Sequence, residues 1–444
     1  MQTCPKCGHA QRDPKACHRC GLHFARARAG RVVFPADPLE GHPLKSVLSE
    51  RWQALSQALD DTSGHHAFIE LCAAQNALDF AGQAYRQLTP PGEFEDPRVA
   101  ALTEKSRAVL QSCGAWAHIA ATRVSPYQAM EVWDAEGTGR IHFDCHDVHQ
   151  PNLGHIVENS LVVESLLAEQ AKLTNIEFFC PVQVARYQRL ENEVTLDLQD
   201  GRLLSAPLLV AADGGNSAIR QAFNFATREW DYGHSAIVTT VETACAHQYT
   251  AWQRFMPTGP LALLPLASSD GRHYCSLVWS QQSDEAERLM ALDDSAFCQQ
   301  LGMASEHCLG QILSTDKRFS IPLRQHHAID YAAERVVLLG DAAHTIHPLA
   351  GQGVNLGFAD VAALVDVLST AVARGNDLGA LFTLNKYQRQ RKPENLTMMA
   401  AMEGFKRLFA SDNLALRWVR STGLTQIDRL QPVKNQIIKQ VMGL

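Results

Sequence analysis

Apolar residues recur at helical spacing early in the chain and at strand spacing later. Val47, Leu48, Trp52, Leu55 and Leu59 fall three or four positions apart after the first, which predicts a helix. Thr62-Ser63-Gly64 breaks the pattern, and Phe68, Leu71, Cys72, Ala77, Leu78, Phe80 and Tyr85 carry it on to about residue 88. The two stretches predict a helical hairpin. Thr89-Pro90-Pro91-Gly92 ends it, because proline and glycine punctuate regular structure.

From about residue 96 strand patterns alternate with helical ones. Residues 176–180 form a short apolar run, and residues 182–190 and 194–198 predict paired strands. Asp200-Gly201 marks a hairpin turn, since both residue types tolerate positive φ. Residues 207–212 predict an apolar strand that runs into Asp213-Gly214-Gly215-Asn216-Ser217. Residues 236–241, 261–266 and 274–279 predict a separate sheet, residues 283–301 a helix, and residues 335–339 a buried strand ending at Gly340-Asp341. The fold class read from this order is mixed α/β.

Composition narrows the class. Hydrophobic residues make up 46% of the 444 and charged residues 20%, an ordinary globular balance that excludes a disordered or collagen-like chain. No run of eighteen apolar residues is read, so no membrane-spanning helix is expected. Met1-Gln2-Thr3-Cys4 opens without a charged segment followed by an apolar one, so no secretory signal is expected. A net charge of -7 argues against a globally basic nucleic-acid binder.

The cysteines divide into two groups. Cys4, Cys7, Cys17 and Cys20 form two CxxC pairs, followed by Gly8 and Gly21. Each pair lets two thiolates converge on one ion, and two pairs close a tetrahedral Cys4 site for structural Zn2+. The segment resembles a zinc ribbon. It carries seven basic residues to Pro35 against the single acid Asp13, a surface for a protein or nucleic-acid partner or simply a solvated face. The other cysteines are scattered, as expected of buried thiols in a reducing cytoplasm.

Two strings carry chemistry. In the first, a buried strand delivers Gly340 and Asp341, then Pro348 and Gly351-Gln352-Gly353-Val354-Asn355 lead into a helix with Leu356, Val361, Leu364 and Leu368 at apolar spacing. A carboxylate at the end of a parallel strand points into the crevice where α/β sheets bind ligands. The glycine turn and helix start offer backbone N–H groups and partial positive charge. In the second, a strand again delivers a carboxylate and glycines, at Asp213-Gly214-Gly215, before a helix.

Together these strings resemble the flavin-dependent aromatic hydroxylases. The branch they most resemble is the ubiquinone-biosynthesis hydroxylases, in particular the 2-polyprenylphenol hydroxylases. The resemblance extends to Arg98-Val99-Ala100-Ala101-Leu102, Met130-Glu131-Val132-Trp133-Asp134, residues 153–160, Trp230-Asp231-Tyr232 and Met442-Gly443-Leu444. It implies a Rossmann-like FAD/NAD(P)-binding domain with an antiparallel substrate-binding sheet. It implies that Asp341, after Gly340, binds the flavin ribityl chain, and that the backbone of Gly351, Gln352, Gly353, Val354 and Asn355 meets the pyrimidine end. Asp213 and Gly214 would lie near the pyrophosphate and serve NAD(P)H use, Arg98 near the cofactor, and Pro348 beside the flavin face. No acid, base or nucleophile of the protein is implied, because flavin carries the chemistry. NAD(P)H and O2 would be co-substrates and a polyprenylphenol lipid the substrate. Other ubiquinone-biosynthesis proteins and a cytoplasmic, membrane-peripheral location are implied with it. The tail from residue 386 holds eleven Lys and Arg against four acids, interleaved with Phe405, Leu408, Phe409, Leu416, Trp418 and Val419. That suits an anionic membrane surface or packing on its own domain.

The family's opening strand–GxGxxG–helix unit, which grips the ADP half of FAD, is not found. The zinc-ribbon segment and helical hairpin stand where it belongs. The domains are therefore read as residues 1–35 (zinc ribbon), 36–90 (helical) and 91–444 (hydroxylase-like). Within the last, FAD-binding parts span about 91–175, 205–232 and 330–385, substrate-sheet parts about 120–160 and 233–329, and the helical tail 386–444. Hydroxylase function with weakened FAD affinity is the expectation. The alternatives are an impaired flavoprotein-like fusion acting as a zinc-dependent scaffold and, from the basic zinc segment alone, a DNA-binding regulator.

Overall fold

A computed structural model describes residues 2–3, 10–11, 47–48, 96, 98–180, 182–268, 271–346, 353–409, 422–423 and 426–442. The chain divides into two compact units, Met1–Glu95 and Asp96–Leu444. In the first, β1 (Gln2–Thr3) pairs antiparallel with β2 (Ala10–Gln11). The cysteines Cys4, Cys7, Cys17 and Cys20 and the expected helical hairpin lie outside the described residues.

The second unit opens with β3 (Val99–Leu102), α1 (Glu104–Ser112) and α2 (Ala115–Thr122). The Thr103 hydroxyl caps α1 by accepting from Ser106 N, as a short hydroxyl side chain can at a helix start. Then come β4 (Ser125–Tyr127), β5 (Ala129–Asp134), β6 (Arg140–Asp144), β7 (Gly154–Glu158) and α3 (Asn159–Gln170). Strands β3, β7 and β4 form an antiparallel sheet whose core (Leu102, Leu110, Ile119, Val157, Leu161) is shared with the three helices.

The paired strands expected at residues 182–190 and 194–198 are present as β8 (Val184–Arg189) and β9 (Val194–Leu198), and the Asp200-Gly201 turn, with Gly201 at φ +86°, leads β9 into a third strand, β10 (Leu203–Ala206). The apolar run at 176–180 is not a strand. It has no pairing partner among the described residues, and Ile176 and Phe178 are exposed. An apolar composition alone cannot hold a strand without a ladder of hydrogen bonds.

The parallel pair that matters is β11 (Leu209–Ala211) beside β19 (Val336–Leu338), with Leu209 opposite Val336. Between them in sequence lie α4 (Ala218–Ala222) and the large sheet: β12 (Thr227–Thr243), β13 (Thr250–Met256), β14 (Gly259–Leu266), β15 (His273–Gln282), α5 (Ser283–Met290), α6 (Asp294–Ala304), β16 (Ile312–Thr315) and β17 (Phe319–Ala328). The short β18 (Ala332–Ala333) pairs with β19. With β5, β6 and β20 (His344–Thr345), the large sheet runs β20-β17-β12-β15-β14-β13-β5-β6, and β16 also pairs with β12. Its core (Ile237, Leu261, Leu277, Trp279, Phe297, Leu301) is covered by α5 and α6. Sequence periodicity merges those two helices into one. Asp293 separates them, its side chain accepting from Ala296 N at 2.8 Å as an N-cap.

The chain ends with α7 (Gly353–Ala373), α8 (Leu381–Phe409) and α9 (Gln431–Met442). By length and composition α7 could cross a bilayer. Here Asp360, Ala363, Leu364 and Ala371 are buried, and Ala363 and Leu364 join Val337, Leu338, Leu384 and Tyr387 in the core beneath β19. A buried carboxylate at mid-helix fits a core helix. Arg391 and Tyr387 of the basic tail are also buried, so α8 packs on its own domain.

Candidate functional site

The site begins where β19 stops. Leu338 is fully buried, Gly340 takes φ +57°, and Asp341 follows in the tight turn Gly340–Ala342. That φ lies in the left-handed region, which glycine enters without a side-chain penalty. A Cβ on Gly340 would also lie 3.7 Å from the Gly357 Cα, so two glycines bring the turn close to the first turns of α7. Asp341 as a residue is exposed. Nevertheless, burial around its carboxyl raises the pKa above the ordinary carboxylate value, with His344 opposing. Surface access decides what a ligand can reach, so the carboxyl is open to a partner and poorly served by water.

Asp360, on α7, holds this turn in place. Its Oδ2 accepts from Gly340 N at 3.2 Å and from His344 Nε2 at 2.6 Å. Its Oδ1 accepts from Arg391 Nε at 2.7 Å and from Asn395 Nδ2 at 3.3 Å. Asp360 is fully buried, and His344 and Arg391 nearly so. Burial works against its charge, but the bonds from His344 and Arg391 outweigh that and hold the carboxyl below its ordinary value. One carboxylate thus ties the Gly340–Asp341 turn to α7 and α8.

Arg220 fastens the second string to the first. Its Nη2 donates to Gly215 O at 2.7 Å and its Nη1 to Ala342 O at 2.9 Å. His326 Nε2 lies 3.1 Å from Arg220 Nη1 and 2.9 Å from Asp341 O; it accepts from the first or donates to the second according to tautomer. Burial and then Arg220 lower the His326 pKa, so the ring is held neutral. Gly214 takes φ +80°, and the exposed Asp213 accepts from Ile219 N at 3.2 Å through Oδ2. In the sequence Arg220 is only the end of the second string, Asp213 to Arg220, with no role attached, and nothing marks His326 or Asp360 as site residues. The legible sign was an acid at a core-facing position of the apolar helix, four residues after Leu356.

At the helix start, Gly353 is half-buried and Val354 exposed. The Asn355 side chain turns inward: Oδ1 accepts from Thr103 N at 3.0 Å and Ser106 Oγ at 2.6 Å, and Nδ2 donates to Ala101 O at 2.8 Å. Asn355 therefore anchors α7 to β3 and α1, and only its backbone is left for a ligand. Arg98, at the start of β3, forms a two-pronged pair with Asp96, Nε to Oδ1 at 3.1 Å and Nη2 to Oδ2 at 3.2 Å. Its side chain is 62% exposed, which leaves it accessible. Pro348, Gly351 and Gln352 lie outside the described residues.

These residues fit the flavin end of FAD: an accessible carboxyl at a strand end, a glycine–glycine close approach and a helix N-terminus. The ADP end is different. The outer edge of β11 carries no strand among the described residues, and Val210 on it is 36% exposed.

Residues 91–401 match the FAD binding domain family. The mitochondrial ubiquinone biosynthesis monooxygenase COQ6 of Xenopus tropicalis is 36% identical over 78% of this chain and 83% of its own length. The Escherichia coli 3-demethoxyubiquinol 3-hydroxylase is 32% identical over 79% of this chain and 88% of its own. In fold, the chain is similar to PqsL, a probable FAD-dependent monooxygenase from Pseudomonas aeruginosa, at TM-score 0.62 and 22% identity, covering 75% of this chain and 90% of that one. The p-nitrophenol 4-monooxygenase PnpA from Pseudomonas putida gives TM-score 0.62 at 16% identity, covering 79% and 89%.

Proposed function

Because the chain belongs to the FAD-binding-domain family and is a flavin-dependent hydroxylase of the ubiquinone-biosynthesis branch, we propose that it hydroxylates a polyprenylated phenol using NAD(P)H and O2. The observation that carries this reading is the locked Gly340–Asp341 turn against α7. Asp341 would accept hydroxyls of the ribityl chain. The backbone N–H groups at Gly353 and Val354 would face the pyrimidine ring, where the helix start favours negative charge. Arg220 keeps Asp213 and Gly214 in register with that turn, on the side given to pyrophosphate and NAD(P)H use. Electron uptake from NAD(P)H and activation of O2 belong to bound flavin, so the protein needs no nucleophile.

The glycine-rich grip on ADP is missing from the sequence, so FAD is held loosely in this reading. Cys4, Cys7, Cys17 and Cys20 would bind structural Zn2+, a proposal supported by CxxC spacing alone. Membrane contact would be peripheral, through the exposed Leu430 and Val433 next to the exposed Arg429.

The test is product analysis. Full-length protein with excess FAD, NADH or NADPH and a short-chain prenylphenol in detergent should place an oxygen from labelled O2 on the ring. NAD(P)H oxidation that yields only reduced oxygen and no ring hydroxyl would overturn the hydroxylase reading.

A further inference from the structure

Asp213 and Asp341 both sit in turns between regular elements, and two turns do not by themselves keep a fixed distance. The regular structure beside them is β17, which is paired on both sides at His326. Glu229 of β12 stands opposite on one side and Thr345 of β20 on the other. A side chain on such a strand is placed more precisely than one on a loop. His326 is 7% exposed and touches both strings. A Cβ on Gly215 would lie 3.6 Å from its Cε1 and 3.2 Å from Thr345 Oγ1, so the second string lies directly against β17 and β20. Its Nε2 faces Arg220 Nη1 at 3.1 Å and Asp341 O at 2.9 Å.

The ring is held neutral. Burial first and Arg220 next lower its pKa, the Asp341 carbonyl and Glu229 oppose, and His344 lowers it further. A neutral imidazole has one N–H and one lone pair. With the proton on Nδ1, Nε2 accepts from Arg220; with the proton on Nε2, the ring donates to Asp341 O. Thr345 Oγ1 also donates to Asp341 O, at 3.4 Å. Arg220 spans the remaining distance, from Gly215 O at 2.7 Å to Ala342 O at 2.9 Å. It is itself only 5% exposed, so these acceptors and His326, not water, set the direction of its guanidinium.

We propose that His326 is a positioning residue for the cofactor: it fixes the spacing between the Asp213–Gly215 loop and the Gly340–Ala342 turn, and with it the affinity for FAD. That role rests on both strings holding flavin. The large sheet then acts as the ruler of the site. Movement of β17 carries both strings together, whereas loss of the ring's contacts lets them drift apart. A side-chain amide offers an acceptor and a donor at once, so glutamine at this position can serve Arg220 and Asp341 O together. Leucine fills similar space and serves neither.

The test is equilibrium FAD titration of the full-length native chain, His326→Gln and His326→Leu, with the thermal midpoint of each flavin-free protein measured alongside. Loss of a hydrogen bond to the charged Arg220 should make FAD binding by His326→Leu about tenfold weaker. His326→Gln should bind as the native chain does. A ring that only fills space predicts the reverse, with leucine tolerated and glutamine not. Native-like binding by His326→Leu, or equal weakening in both variants, overturns the proposal. If His326→Leu does not fold, His326→Asn takes its place, because its shorter amide does not reach both partners. No flavin uptake by the native chain would sink the flavin reading instead. Amide hydrogen exchange of the flavin-free proteins then decides the spacing role. His326→Leu should lose protection at residues 213–220 and 340–345 and His326→Gln should not; equal protection in all three overturns it.

Discussion

Asp360 carries more of the site than any residue named from the motifs. It accepts from four groups and is the buried one of two counter-charges for Arg391, the other being the exposed Glu394. Removing it leaves the buried Arg391 with the exposed Glu394 alone and takes the acceptor from His344, Asn395 and Gly340 N, so Asp360→Ala should cost about 3 kcal/mol in denaturant unfolding. Asp360→Asn should cost less, because an amide oxygen can still accept from Arg391. The ionised form is favoured in the folded state, so its stabilising contribution is full above the unfolded carboxylate pKa. It is lost as pH falls through the lowered folded value. A stability–pH profile of Asp360→Asn should therefore be flatter at the acid end than that of the native chain. The sequence made Asp341 and the glycines legible because strand-end acids and glycine turns have local signatures. Asp360, Arg220 and His326 act across distances that no spacing encodes.

At the scale of elements, short strands with a turn signal were readable, as β9 and its Asp200-Gly201 turn into β10 show. What periodicity missed was length and interruption. Strand β12 runs from Thr227 to Thr243 because a register shift between Asp231 and His234, with Gly233 at φ +60°, lets one strand serve two parts of the sheet. The β17–β20 pairing holds a second pH-sensitive group. His327, opposite His344, is pushed down to about 4 by burial first and then by neighbouring cations including Lys392. The unfolded chain takes up this proton near pH 6.5 and the folded one only near 4, so stability drops as the pH is lowered from 6.5 to 4. His327→Gln should flatten the melting temperature between those limits; an unchanged slope would assign it to other groups. The Gly340 turn is the other element-level test. Gly340→Ala has room for its Cβ but must hold φ +57°, which costs about 1–2 kcal/mol, read as a lower unfolding midpoint.

For the whole molecule, family and fold class were legible because the two strings and their order are specific, and the match over residues 91–401 agrees. The partition of the tail was not, since basic–apolar interleaving suits a membrane and a domain surface equally. Burial of Tyr387, Arg391 and Met399 assigns α8 to its own domain. The N-terminal cysteines make their own prediction. Zinc content of the purified chain should fall by about one equivalent when Cys4 and Cys17 are replaced by Ser, because a closed Cys4 site does not hold its ion with half its ligands.

The central claim is that a chain without the GxGxxG unit still binds flavin through the Gly340–Asp341 turn and the start of α7. The direct measurement is equilibrium titration of full-length protein with FAD, followed by flavin absorbance and fluorescence, beside Asp341→Ala. The account predicts saturable binding, loose enough for flavin to be lost on gel filtration. Deleting a hydrogen bond to a charged group costs about 1.5–3 kcal/mol, so Asp341→Ala should weaken binding roughly tenfold to a hundredfold. No saturable binding by the native chain, or the same dissociation constant for both proteins, would contradict it.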